Sequence, residues 1–375
     1  MQYRKRNFLK TEKKDQRSRL ITLGIIALVV ILIVVILFGL LSNNRKVSAS
    51  KLPCVASQNI RPFGNHILYY DGITLFCLNT NGSERWNYTL GGNASFSCSD
   101  KNIVAWNNSQ LHIINQNGQP TYNENLANTI QFAKAGSKYV GIVMGTDVGP
   151  TLEIKDMQGT TIDTETAAYS DMIITDIGFF DNGEYLWTTS LDIYGTVNNV
   201  VLHTYKVNMT NSGEISLGEH LVYDVVFANN QLHVITTEEV RRFDYRGSES
   251  TDEAVLVYGW KPEDYGVADR KAMLLFSLTN NSSAGMNQLR LLHGNTDKRF
   301  TMPSFCVGAA LFNKNVYAFA GDSIYRAGIN AQRFEAIALP KSMEGVEVVD
   351  FIGMLDNGVA LLCAADGSVY AVTVP

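Results

Sequence analysis

A nine-residue motif recurs through most of the chain and restricts it to folds built from repeated small sheets. Thr74-Leu-Phe-Cys-Leu-Asn-Thr-Asn-Gly82 aligns without gaps to Gln110-Leu-His-Ile-Ile-Asn-Gln-Asn-Gly118. It also aligns to Thr151-Leu-Glu-Ile-Lys-Asp-Met-Gln-Gly159 and to Glu239-Val-Arg-Arg-Phe-Asp-Tyr-Arg-Gly247. Each copy reads as a strand, then Asn or Asp, then Gly three residues later. The carboxamide or carboxylate can bond the turn backbone, and the Gly supplies the positive φ that the turn needs. Looser copies begin near 201, 288, 323 and 368, so the eight starts lie on average about 42 residues apart.

A second strand precedes many copies across a tight turn. Ile67–Tyr70 leads through Asp71-Gly72, Ile103–Trp106 through Asn107-Asn108, Leu232–Ile235 through Thr237-Glu238 and Val316–Phe319 through Gly321-Asp322. Val359–Leu362 leads through Asp366-Gly367. Asp181-Asn182-Gly183 and Asp356-Asn357-Gly358 mark further hairpins upstream. Three linked strands and an outer fourth at this period are the arithmetic of a β-propeller blade, whereas a solenoid repeats every 20–30 residues or so. The expected fold is all-β, a propeller of eight four-stranded blades, with seven as the alternative because segments 139–168 and 258–292 are the least regular. The last copy ends at Pro375 without an outer strand, and residues 51–57 are placed to supply it, which would remove an exposed edge.

The only non-repetitive region is the beginning. Leu20 to Leu41 is a run of 22 residues without a charge, Pro, Asn or Gln. As a helix it would span roughly 33 Å, enough for a hydrocarbon core of about 30 Å. Ahead of it, eight basic residues face Glu12 and Asp15, so residues 1–19 carry +6 and the remainder −11 of a net −5. The run exceeds a signal-peptide h-region, and the positive-inside rule keeps the basic head in the cytoplasm. The expected organisation is a cytoplasmic tail (1–19), a signal-anchor helix (20–41) in the lipid bilayer, a linker (42–50) and an extracytoplasmic propeller (51–375). That places the protein in the cell membrane as a single-pass chain. An acidic body also argues against nucleic acid as a partner.

In the first repeat Trp86 follows Gly82 by four residues, within Leu78-Asn79-Thr80-Asn81-Gly82-Ser83-Glu84-Arg85-Trp86, and Tyr122 takes the same place after Gly118. This resembles the tryptophan-docking repeat of the PQQ-like (quinoprotein-type) β-propellers, commonly Leu-Asp-x-x-x-Gly-x-x-x-Trp. Asp163 and Thr251 depart from it in the third and fifth repeats. The arrangement of basic tail, single anchor and exported propeller is similar to an uncharacterised family of membrane-anchored propellers from Gram-positive bacteria. That resemblance implies a bacterial surface protein and brings no activity with it.

Chemistry-bearing patterns are sparse. The quinone-dependent relatives of the superfamily use adjacent cysteines, whereas Cys54, Cys77, Cys98, Cys306 and Cys363 are scattered, so no cofactor is expected. The six histidines never reach a close metal-ligand spacing. No nucleophile elbow, P-loop or dinucleotide fingerprint is present. Glu238-Glu239 and Asp171…Asp176 sit beside turns, where solvated carboxylates are ordinary. Tyr258-Gly-Trp-Lys-Pro-Glu-Asp-Tyr-Gly-Val-Ala-Asp269 breaks the strand rhythm and reads as an aromatic-rich loop, with Tyr258, Trp260 and Tyr265 as candidate partner-binding residues. The excursion from Leu191 to Val200 is a second candidate. These features point to a non-catalytic scaffold that binds a protein or cell-wall component. The alternative is a cell-wall glycan hydrolase or lyase at the channel mouth, which requires carboxylates to converge there.

Overall fold

Alternation of apolar and polar residues between Gly-marked turns produces strands almost everywhere, and these pair into small antiparallel sheets. The computed structural model describes residues 46–375, except 147, 148, 181, 182, 193, 209, 210, 229, 230, 245 and 251–253. The expected anchor and tail therefore lie outside the described residues; among the described ones no helix is long and apolar enough to cross a membrane. Residues Ser48–Val372 form one compact unit.

The first sheet contains Asn59–Phe63, His66–Tyr70, Thr74–Leu78 and Glu84–Thr89, and the second Ser95–Cys98, Asn102–Asn107, Gln110–Asn115 and Pro120–Asn125. The third to fifth sheets continue the pattern from Ile130 to Glu165, Met172 to Gly218 and Val222 to Leu256. A seven-stranded sheet follows, hinged on the 17-residue strand Thr296–Phe312. The first half of that strand pairs with Met286–His293 and its second half with Asn315–Ala320, the two registers meeting at Cys306. The final sheet contains Val348–Met354, Val359–Ala364 and Ser368–Thr373, and Ser48–Val55 completes it. The expectation that residues near 51–57 supply the missing strand is met, with bounds a few residues earlier.

All eight repeat starts fall on third strands of this pattern, and the turns behave as the motif requires. Gly82, Gly118, Gly159 and Gly247 have φ of 84°, 77°, 84° and 80°. Asn115, Asp156 and Asp244 each accept two turn N–H groups on Oδ1, at 2.8–3.1 Å. These turns also receive the preceding sheet. Trp86 lies over Gly118, where a Cβ would come within 2.5 Å of the ring, and its Nε1–H donates to the Gln116 carbonyl at 3.0 Å. Tyr122 covers Gly159 in the same way, with the Lys155 ammonium 5.5 Å from its ring. The docking continues where the aromatic is absent: Asp163 accepts the Asn208 N–H at 3.2 Å, and Ile215 meets Gly247.

Packing links each sheet to the next. Phe63, Leu75, Phe96 and Ile103 join the first two sheets, and Val226, Ile235, Trp260 and Phe276 join the fifth to its successor. Phe319 stacks on Phe351 at 4.7 Å across to the last sheet. Leu361 and Val369 of the last sheet share a core with Ile60 and Ile67 of the first. Among the described residues no sheet closes on itself; continuity comes from apolar side chains between sheets.

Candidate interaction face

In a four-stranded antiparallel sheet, turns alternate between two edges. The turn between second and third strands and the connection to the next sheet therefore share an edge, and the backbone ties them together. Leu90 and Gly91 N–H donate to the Ile73 carbonyl (2.9 and 3.0 Å), Ile130 N–H to Asn108 (2.8 Å) and Thr237 N–H to Leu221 (3.0 Å). Val348 N–H likewise donates to Gly321 and Ala56 N–H to Gly367, both at 2.9 Å.

Large apolar side chains left in solvent gather at this edge. Tyr258 is 80% exposed, Tyr194 76%, Leu256 69% and Leu221 60%, and Ile173, Val197, Tyr223 and Phe305 are exposed beside them. These eight come from consecutive sheets, and Val55, Ile73 and Val349 occupy the same edge elsewhere. Among the described residues only Tyr265 and Val267 are large, exposed and apolar away from it. Single exposed apolar residues are ordinary, whereas a concentration on one face marks an interaction site. A cavity of about 890 Å³ opens here, lined by Phe305, Asp322, Pro340, Met343 and Glu347 among others.

The segment from Tyr258 to Asp269 is not a loop. Trp260–Ala268 is the first strand of the seven-stranded sheet, in register with Lys271–Leu278. Trp260 is 7% exposed and packs in the core, with the Arg290 and Arg299 guanidinium groups 5.9 and 5.8 Å from its ring. Pro262, Glu263 and Asp264, which hide this strand's periodicity, sit at a bulge, and Gly266 follows in regular register. The structure thus does not bring the three aromatic candidates together: Tyr258 projects from the connection, Trp260 is internal and Tyr265 stands mid-strand. In the excursion from Leu191 to Val200 the ends are strand, with Leu191 paired to Val200 and Asp192 to Asn199, and the connection between them presents Tyr194 and Val197 at the exposed edge. Sequence reasoning missed Leu221, Tyr223, Leu256 and Phe305. The available signal was an apolar residue just outside a strand's alternation, next to a connection.

Carboxylates do approach one another on the first strands. Asp176, Asp224, Asp264 and Asp350 each follow a bulge and accept the next residue's N–H at 2.8–2.9 Å. Asp224, Glu263 and Asp264 line a cavity of about 400 Å³ with Lys261, Tyr223 and Tyr265. Burial, then the neighbouring Asp176, pushes the Asp224 carboxyl up. Burial raises Asp264 to about 6, against the lowering pull of the Leu311 and Tyr265 N–H groups. Among the described residues no three His, Cys, Asp or Glu side chains are grouped to hold a metal ion. All five cysteines are free, and burial pushes Cys77 and Cys306 up to about 12 and Cys54, Cys98 and Cys363 to about 11, away from thiolate chemistry.

The raised Asp264 has a measurable consequence. An unfolded Asp titrates near 3.8, so between about pH 4 and 6 the folded state holds the extra proton. Its contribution to stability is full below that window and is lost as pH rises through 6. The stability of the wild type relative to Asp264→Asn should fall by about 2–3 kcal/mol from about pH 4 to 7, read from denaturant midpoints. A difference that stays constant with pH would mean a solvated carboxyl.

Solved structures with this fold are numerous. BamB from Moraxella catarrhalis superposes with a TM-score of 0.54 at 11% identity, covering 88% of this chain and 98% of that one. Sqt1 from Saccharomyces cerevisiae gives 0.56 at 10% identity, with 88% and 98% covered. The WD40 domain of SCAP from fission yeast gives 0.57 at 8%, again over 88% and 98%. These neighbours are β-propellers, and the class that the fold defines here is the same. No protein-family model matches the sequence, and no curated protein matches it.

Proposed function

We propose that this protein is a single-pass membrane propeller that binds a protein partner outside the cell through its exposed apolar face, without catalysis. Residues 1–19 would lie in the cytoplasm, 20–41 in the bilayer, 42–50 in a linker and 51–375 outside. The 22 uncharged residues and the +6 head support that topology. A count of eight blades is supported by the eight repeat starts, if the seven-stranded sheet is read as two blades sharing the strand Thr296–Phe312. Trp86 on Gly118 and Tyr122 on Gly159 support the PQQ-like reading.

The observation that carries the binding function is the gathering of exposed Tyr, Leu and Phe side chains at one edge. A cell-wall partner would ask instead for a polar groove. The reading as a glycan hydrolase or lyase has Asp224, Glu263 and Asp264 in its favour. Against it, both Asp264 oxygens already accept backbone N–H groups, from Tyr265 at 2.8 Å and Leu311 at 2.7 Å, which ties this carboxyl to the backbone of its own sheet. Crosslinking in intact cells followed by mass spectrometry tests the proposal. A specific protein partner that disappears when the apolar face is altered is the expected result. Indifference of every crosslinked protein to that face would overturn it.

A further inference from the structure

The apolar edge also segregates charge. Its turns between second and third strands and its connections between sheets contain eight carboxylates among the described residues. Lys341 is the one lysine or arginine described there. A pairing recurs around the edge, an exposed carboxylate two residues before an exposed apolar side chain. Asp71 precedes Ile73 in this way, Asp171 precedes Ile173, Glu219 precedes Leu221 and Glu347 precedes Val349. The opposite edge is mixed instead, with Lys101, Lys138, Arg270 and Lys314 in its turns beside Asp100 and Asp269.

Both features meet in the cavity of about 890 Å³, which has room for a short run of side chains rather than one. Phe305, Leu339, Pro340, Met343 and Val346 give it an apolar lining. Asp322, Glu344 and Glu347 line it too, exposed to solvent, and among the described residues none of the three has an ion-pair partner. Lys341 can offset one of these charges at most. An acidic ligand would meet like charge here, whereas a cationic one neutralises the rim as its apolar part is buried.

We infer, on the reading of this edge as the docking face, that the partner docks through a basic peptide segment. A large apolar residue of that segment sits against Phe305, Pro340 and Met343, and flanking lysines or arginines meet Asp322, Glu344 and Glu347. The buried anchor supplies most of the affinity. The exposed carboxylates select the partner, because charges at a rim act chiefly on encounter rate and on rejection of like charge.

Fluorescence anisotropy with the full-length chain in neutral-detergent micelles tests this, with empty micelles as the blank. The probes are two labelled decapeptides sharing a central leucine and phenylalanine, flanked by lysines in one and by glutamates in the other. The lysine peptide should bind about tenfold tighter or more, and its affinity should fall about tenfold between about 50 and 300 mM salt. Glu344→Lys with Glu347→Lys should weaken the lysine peptide about tenfold and strengthen the glutamate peptide, with unchanged melting. Equal affinity for the two peptides, or equal binding of the lysine peptide by variant and wild type, would overturn the inference. In intact cells the same variant separates the basic segment from the docking face. Loss of the crosslinked partner in Glu344→Lys with Glu347→Lys, as in Leu221→Asp with Tyr258→Asp, supports both. A partner lost only in the second pair leaves the face standing and removes the basic segment, while a partner indifferent to both pairs removes the two together.

Discussion

Gly159→Val should be among the most damaging single substitutions in this protein, lowering its unfolding free energy by about 2–5 kcal/mol. Two independent costs combine at this residue. Its φ of 84° lies in the left-handed region, which a β-branched residue enters at a cost of roughly 1–2 kcal/mol. Any Cβ there would also come within 1.8 Å of the Tyr122 ring, so the docked aromatic must leave its seat, and overpacking of this kind costs about 1–3 kcal/mol. The two costs can be separated. Gly159→Ala with Tyr122→Ala removes the clash and keeps the backbone strain, so the double variant should be less destabilised than the sum of the singles by about 1–2 kcal/mol. Denaturant unfolding of all four proteins measures this coupling. Simple additivity would mean that Tyr122 docks too loosely to hold the second and third sheets together.

The repeat was legible because turn chemistry is local. Asn or Asp followed by Gly three residues later specifies a bonded turn wherever it occurs, and all four strict copies form that turn with the Gly at positive φ. The docking was legible only where an aromatic followed. Asp163 looked like a departure, yet it reaches the equivalent turn by accepting the Asn208 N–H, a use of the position that a search for Trp or Tyr cannot see. Trp260 failed for a related reason. A strand containing Pro262, Glu263, Asp264 and Gly266 carries little periodicity, and its bulge shifts the register partway along. Only pairing with Lys271–Leu278, a tertiary fact, shows that it is a strand.

The apolar face was the least legible feature, because its members are far apart in sequence and each is unremarkable alone. Leu221, Leu256 and Phe305 belong to separate connections, and they share an edge because every connection into a new sheet leaves from the same side. Patterns along the chain reveal sheets, while sites arise between them.

The double variant Leu221→Asp with Tyr258→Asp should abolish partner capture while leaving the fold intact. Both side chains are largely in solvent, 60% and 80% exposed, so their loss should change stability by no more than about 0.5 kcal/mol each. Buried against a partner, two such anchors are worth about 2 kcal/mol each or more, and an introduced carboxylate adds desolvation on top. Together this is about 4 kcal/mol, or roughly a thousandfold in affinity, which would take a micromolar complex beyond detection in cells. Val267→Asp is the control, because that residue is also exposed, at 58%, but lies toward the far end of its strand from the connections. The expected pattern is loss of the crosslinked partner in the double variant and its retention in Val267→Asp, with unchanged melting in both. Equal capture by all three proteins would mean that the exposed apolar edge is not where the partner sits. Equal loss in Val267→Asp would place the contact along the first strands, nearer Tyr265, and would return the carboxylate-lined cavity to the centre of the functional question.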